Sequence, residues 1–237
     1  MKYILYGVVI LILYVAFVYG RILYISSHNK NPAILQTGFR EGFGPTLKYI
    51  AAGDSTAVGV GASAVEKTYT YKVAERLSKT YSVEYKNVGV IGAKTGDVLN
   101  NQLSQIINFN PDVVTVSIGA NDATHLIGAG TIKEHYTEIL SRLTKETHAK
   151  VYITDIPNFY GASLLPNWYI QFLEYRTSKI NPELLKMETD RVKFVNIHDF
   201  GWNQYPDRSV TYSFDYFHPS NVGYENWTNA FLDKISK

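Results

Sequence analysis

Five short apolar runs, each separated from the next by a longer segment of helical period, constrain the fold of this chain more than any other feature. LKYIAAG (47–53), VEYKNVG (83–89), DVVTVSIG (112–119), KVYITDI (150–156) and VKFVNI (192–197) have strand length and are rich in β-branched and aromatic residues. Between them lie YTYKVAERLSKTY (69–81), TGDVLNNQLSQIINF (95–109), TIKEHYTEILSRLTKETH (131–148) and NWYIQFLEYRTSKINPELLKMETD (167–190), the last read as interrupted near Pro182. A final helix, SNVGYENWTNAFLDKISK, follows Pro219. Strands joined by helical crossovers pair in parallel and are covered on both faces. The expected architecture is therefore α/β, a three-layer α/β/α sandwich on a five-stranded parallel sheet.

The N-terminus stands apart. From Tyr3 to Gly20 no residue is charged, and apolar character resumes after Arg21 through Ile25. That is the length a helix needs to cross a hydrocarbon core. It is long for the apolar part of a signal peptide, and no A-x-A cleavage pattern follows it. Residues 1–25 are read as one transmembrane helix, with a cleaved signal peptide as the alternative. Lys2 on one side faces Arg21 and Lys30 on the other, so charge alone does not orient the helix. The expectation is an extracytoplasmic domain held at the membrane, or a secreted one if the segment is cleaved. Residues 26–45, with polar side chains, two prolines and three glycines, read as a tether, and residues 46–237 as the folded domain.

Composition excludes several function classes. The chain has no cysteine, which rules out disulfides, zinc-thiolate sites and thiol catalysis. The net charge is +2, and from Thr46 onward basic and acidic side chains nearly balance, so the footprint of a nucleic-acid binder is lacking.

In open α/β sheets ligands gather at the carboxyl ends of the strands. That rule selects Gly53-Asp54-Ser55, within AAGDSTAVGVGAS (51–63), after the first strand, Gly89 to Gly92 after the second and Gly119 to Asp122 after the third. Gly59-Val60-Gly61-Ala62-Ser63-Ala64 matches the G-x-G-x-x-A dinucleotide fingerprint in letters only. Gly59 comes six residues after the strand should end, and the next strand finishes on Asn87 where an acid would hold the ribose. No P-loop motif is present. The glycines read as turn geometry.

A serine nucleophile finds partners instead. Activating a hydroxyl needs a base within hydrogen-bond reach and an acid to orient that base. In SFDYFHPSNVGY, Asp215 and His218 lie three residues apart, close enough for one turn to present both. His28, His125, His135, His148 and His198 have no such context and read as surface or core residues. A developing oxyanion would need preorganised donors. The Ser55 N–H at a helix N-terminus, the Gly92 N–H in NVGVIGAKTGD and the Asn121 amide in SIGANDAT are the candidates, although a turn glycine and a helix cap or Asx-turn are competing roles for the last two. Asp54 and Asp122 beside them read as structural acceptors that hold the corner loops.

Taken together, Gly53-Asp54-Ser55, Gly92, Gly119-Ala120-Asn121-Asp122 and Asp215-x-x-His218 resemble the SGNH hydrolases, the GDSL esterase/lipase family. The resemblance runs from about Leu47 to the C-terminus, and Thr56 departs from the leucine of the best-known form of the first motif. It implies a flavodoxin-like sheet and a serine esterase in which Ser55 is nucleophile, His218 base and Asp215 its orienting acid. Ser55, Gly92 and Asn121 would form the oxyanion hole, with no cofactor and no metal. A small-molecule, lipid or glycan ester is the expected partner, beside the membrane and without nucleic acid. An O-acyltransferase using the same triad and a non-catalytic binding module are the rival readings. Tyr160, Trp168, Trp202 and Tyr205 are candidates for the cleft rim.

Overall fold

The computed structural model describes residues 2–28, 37–40, 42–199 and 208–235. The sheet has six strands: β1 (Thr37–Arg40), β2 (Thr46–Gly53), β3 (Ser82–Asn87), β4 (Val113–Ser117), β5 (Lys150–Thr154) and β6 (Val192–Val195). Their spatial order is β1-β3-β2-β4-β5-β6. β2 to β6 are the five expected parallel strands. β1 is an addition, antiparallel to β3 with Thr37 opposite Lys86 and Arg40 opposite Val83. It lies in the stretch read as a tether. Without it β3 would present a row of unpaired N–H and C=O groups along the sheet edge.

Successive residues of each strand face opposite layers. Ile50 and Ala52 of β2, with Val114 and Val116 of β4, pack against Leu103 and Ile106 of α5 (Leu103–Phe109), Ile132 to Leu143 of α7 (Ala129–Glu146) and Leu173, Ile180 and Leu184 of α8 (Asn167–Leu185). Tyr49 and Ala51 face the other layer, where α3 (Tyr69–Leu77) and α9 (Asn221–Ile235) lie. There Tyr69 stacks on Phe231 with ring centroids 4.8 Å apart and planes 2° from parallel. Burying one such ring stabilises the fold by about 1.5–3 kcal/mol.

β2 neighbours both β3 and β4, so the chain leaves it first toward one edge and then returns to the other side. This is the switch point of a doubly wound sheet, where diverging crossovers open a crevice at the carboxyl ends of β2 and β4.

Two helical expectations change. Pro182 does not interrupt α8, which runs from Asn167 to Leu185 with the proline inside it. Pro182 and Ser178, whose carbonyl loses its partner, are both exposed, so water takes the place of the missing N–H. The segment 95–109 is one helical rod made of α4 (Thr95–Asp97), a π turn (Val98–Gln102) and α5. At the N-terminus, α1 (Lys2–His28) extends three residues past the expected end. Its Lys2–Arg21 part is long and apolar enough to cross a membrane, and none of it is buried.

Candidate active site

The first corner of the site is built where β2 ends. Gly53 has φ +132°, and a Cβ there would meet the Ser117 carbonyl oxygen at 1.9 Å, so only glycine permits β2 and β4 to approach so closely. Asp54 then caps α2 (Ser55–Val58), accepting hydrogen bonds from Thr56 N at 2.9 Å and Thr56 Oγ1 at 2.7 Å. Burial pushes the Asp54 carboxyl up to about 6, against the pull of those Thr56 bonds. Ser55 is the first residue of α2, and its N–H has no intrahelical acceptor. Its hydroxyl sits on the floor of the crevice with the residue only 5% exposed.

The second corner precedes α9. Asp215 Oδ1 accepts from Ser213 Oγ at 2.7 Å, Phe217 N at 2.9 Å and His218 N at 2.8 Å, which folds residues 213–218 into a closed turn. Its other oxygen, Oδ2, lies 2.6 Å from His218 Nδ1, and His218 Nε2 lies 2.9 Å from Ser55 Oγ. Burial alone would raise the Asp215 carboxyl, but the His218 bonds outweigh it and hold the group well below the usual carboxylate range. An ionised Asp215 only accepts, so Nδ1 carries the imidazole proton and Nε2 is left to accept the Ser55 hydroxyl.

Asn121 begins the third corner, in α6 (Ala120–Thr124) after β4, and lines the same cleft as Ser55 and His218. One amide hydrogen of its Nδ2 is donated to the Ala93 carbonyl at 3.0 Å, which leaves the other for a ligand. Gly92 precedes Ala93, has φ +79° and is exposed; a Cβ added there meets nothing within 4 Å. It lines a depression beside the cleft with Val90, Ile91 and Ala93. The structure thus brings Ser55, His218, Asp215 and Asn121 together and sets Gly92 one residue beyond the carbonyl that holds Asn121. Asp122 is a structural acceptor, taking Thr95 N at 2.9 Å and Thr95 Oγ1 at 2.6 Å.

Gln102 has no signal in the sequence, yet it clamps the first corner. The π turn aims its buried amide at the backbone of Gly53, accepting from Gly53 N at 2.8 Å and donating to Gly53 O at 2.8 Å. A cluster of titratable side chains lies behind the far wall. Glu174 of α8 accepts from Phe159 N at 2.5 Å and sits 3.2 Å from His198 Nε2, while His198 Nδ1 is 2.7 Å from Asp199. The Glu174 hydrogen bond, against the opposing effect of burial, raises His198 to about 9. Burial raises the neighbouring Asp155 to about 7, although it accepts from Ile197 N and His198 N.

Pro157, Phe159, Ala162, Ile197, Phe217 and Trp227 form the apolar wall of the cleft. Tyr160 and Trp168 are exposed and are not among the residues that line it; Trp202 and Tyr205 lie outside the described residues. Among the other histidines, His135 bonds Thr95 Oγ1, His148 bonds Asp112 and His125 bonds the Asn121 carbonyl. Among the described residues no group of three or more His, Cys, Asp or Glu side chains is arranged to hold a metal ion.

A serine at a helix N-terminus, paired with a histidine at the switch point of a flavodoxin-like sheet, is the arrangement of a serine hydrolase. Residues 51–225 match the GDSL-like Lipase/Acylhydrolase family, and the chain belongs to that family. A search of curated proteins gives no match. Among solved structures, a lipase/acylhydrolase from Enterococcus faecalis is similar at 23% identity, with 80% of this chain and 95% of that chain covered and a TM-score of 0.63. The lipase Lip_vut3 from a goat rumen metagenome is 22% identical over 79% of this chain and 96% of that one, with a TM-score of 0.61. Axe2, an acetylxylan esterase from Geobacillus stearothermophilus, is 15% identical over 83% and 96%, with a TM-score of 0.64. At these identities the likeness is one of fold. The family makes the chain a serine hydrolase of the esterase/lipase type.

Proposed function

We propose that this chain is a membrane-anchored serine esterase that hydrolyses carboxylic esters through Ser55, His218 and Asp215, with a domain running from residue 46 to 237 behind an N-terminal anchor and tether. The observation that carries the reading is the continuous hydrogen-bonded line from Asp215 Oδ2 through the His218 ring to Ser55 Oγ. Ser55 Oγ attacks the ester carbonyl carbon as its proton passes to His218 Nε2. Asp215 fixes the tautomer and faces the imidazolium that forms. The Ser55 and Gly92 N–H groups and the free Asn121 amide hydrogen meet the oxyanion, helped by the positive end of α2 and its neighbours. When the tetrahedral adduct collapses, the leaving alcohol takes the proton from Nε2. Water then repeats the sequence on the acyl-serine, giving a carboxylic acid and free Ser55.

The apolar wall of Phe159, Ile197, Phe217 and Trp227 suits the acyl side of an ester, whether the alcohol is a lipid or a glycan. The test is fluorophosphonate labelling of the full chain in detergent, with ester hydrolysis compared between wild type and Ser55→Ala. Labelling and hydrolysis that both vanish in the variant are expected; labelling that persists without Ser55 would overturn the assignment. Adding an alcohol acceptor and analysing products separates hydrolysis from acyl transfer.

A further inference from the structure

Exposed apolar side chains form a rim along the carboxyl edge of the sheet, the edge on which the cleft opens. Val90 and Ile91 follow β3, Leu126 follows α6, Tyr160 follows β5, and Phe214 and Tyr216 belong to the turn that presents His218. These six are between 42% and 57% exposed, and all belong to loops at the carboxyl edge of the parallel strands. Among the described residues three non-glycine residues have positive φ, and Asn110 is the left-handed cap of α5. The other two are Leu126 at +58° and Tyr216 at +57°, both exposed apolar rim residues held in a backbone conformation that their side chains disfavour. Packing inside the fold does not explain why a leucine and a tyrosine stand there.

Two further observations identify what the rim faces. Arg21, at the end of the apolar part of α1, lies over the Tyr216 ring, 5.6 Å from its centroid. Independently, β1 starts at the carboxyl edge, because antiparallel pairing sets Thr37 opposite Lys86 near the end of β3. The chain therefore enters the domain on the edge where the cleft opens. Aromatic side chains and an arginine at the end of an apolar helix are the groups that settle at the headgroup level of a bilayer.

We infer that the cleft rim is seated on the bilayer that α1 crosses, and that the ester reaching Ser55 is an acyl ester of a lipid drawn from that same leaflet. The inference rests on reading α1 as a span and Ser55 as the nucleophile. A lipid chain passes from the hydrocarbon into the apolar wall of the cleft without crossing water, and the rim residues exchange water for headgroup and acyl contacts. Ser55 is acylated, the lysolipid alcohol leaves with the proton from His218, and water releases the fatty acid.

The chain has no cysteine, so single reporters are placed without background. The full chain carrying Ile91→Cys or Phe214→Cys, labelled with an environment-sensitive fluorophore, is reconstituted in phosphatidylcholine/phosphatidylglycerol vesicles that contain doxyl-labelled lipid. Lys145→Cys, on the exposed end of α7 at the opposite edge, is the reference. Labels at 91 and 214 should be quenched several-fold more than the label at 145. Equal quenching overturns the inference, as does release of the chain from the vesicles by alkaline carbonate. In a second measurement, Ile91→Ser combined with Phe214→Ser should lower turnover of vesicle lipid relative to a monomeric short-chain ester by about tenfold or more. An equal change in both also overturns it. Quenched rim labels on a chain whose Ser55 takes no fluorophosphonate would remove the esterase reading and leave the docking. Unquenched labels on an active chain would do the reverse.

Discussion

Gln102 holds the two peptide units that flank the Gly53 Cα, its Oε1 accepting from the Gly53 N–H and its Nε2 donating to the Gly53 carbonyl, each at 2.8 Å. The glycine is two residues from Ser55, so the clamp sets the direction in which β2 delivers the Ser55 hydroxyl. Gln102→Leu keeps the volume and strands a buried Gly53 N–H, which costs about 1–3 kcal/mol of stability. We expect urea unfolding to shift accordingly and kcat to fall with KM nearly constant. An unchanged kcat would reduce Gln102 to a packing residue.

Gly53 and Gly92 separate two reasons for a glycine. At Gly53 a methyl group collides with the Ser117 carbonyl, so Gly53→Ala is expected to leave the chain insoluble or unfolded. At Gly92 the space is empty and only the positive φ opposes a side chain, a cost of roughly 1–2 kcal/mol. Gly92→Ala should therefore fold, with a modestly lower melting temperature and slower turnover. Circular dichroism melts and esterase assays on the two variants check both outcomes.

Asn121→Ala removes a donor from the expected oxyanion position. Its loss is expected to lower kcat by about 10²–10³ while KM moves little. Because Nδ2 also holds the Ala93 carbonyl, Asn121→Ala should loosen the 88–94 loop, and hydrogen exchange on that loop reports this separately from the rate.

Asp215→Asn replaces the carboxylate that fixes the tautomer of His218, and a loss in kcat on the order of 10⁴ is expected. The sign of the stability effect follows from the depressed carboxyl. Asp215 contributes fully above the unfolded carboxylate range near pH 4 and progressively less as pH falls below it. Wild type should lose stability steeply on acidification below about pH 4, and Asp215→Asn should show a shallower slope there in urea titrations.

His198 gives the opposite dependence. Raised to about 9 by Glu174, it contributes fully below its unfolded value near 6.5 and loses that contribution as pH rises through 9. The urea midpoint of wild type should fall between pH 6.5 and 9, and His198→Gln should flatten that interval. Equal slopes in the two proteins would remove the Glu174–His198 pair from the account.

The five parallel strands were legible from sequence, because buried parallel strands read as apolar runs, and Ser55 and Asn121 were picked out because they fall just beyond strand ends. β1 was not, since Thr37-Gly38-Phe39-Arg40 has no alternating pattern and becomes a strand only through the exposed edge of β3. Pro182 misled in the other direction, because a proline on a solvated helix face leaves its unpaired carbonyl to water. Gln102 was invisible for a different reason: a π turn fixes its direction, and that turn belongs to the packing between α4, α5 and β2 and not to local propensity. Gly92 was identified by motif, and the positive φ it adopts belongs to a loop shape that spacing does not encode.

The six strands are complete by Val195, yet both His218 and the helix that covers Tyr69 come after them. The Tyr224 hydroxyl donates to the Val60 carbonyl at 2.7 Å, which ties that last helix to the turn just beyond Ser55. Closing the second core layer and bringing the His218 ring to Ser55 therefore depend on the same C-terminal segment. On the mechanism proposed above, a chain cut or stalled after β6 has a sheet and a serine but no proton acceptor, and esterase activity would count only fully assembled molecules.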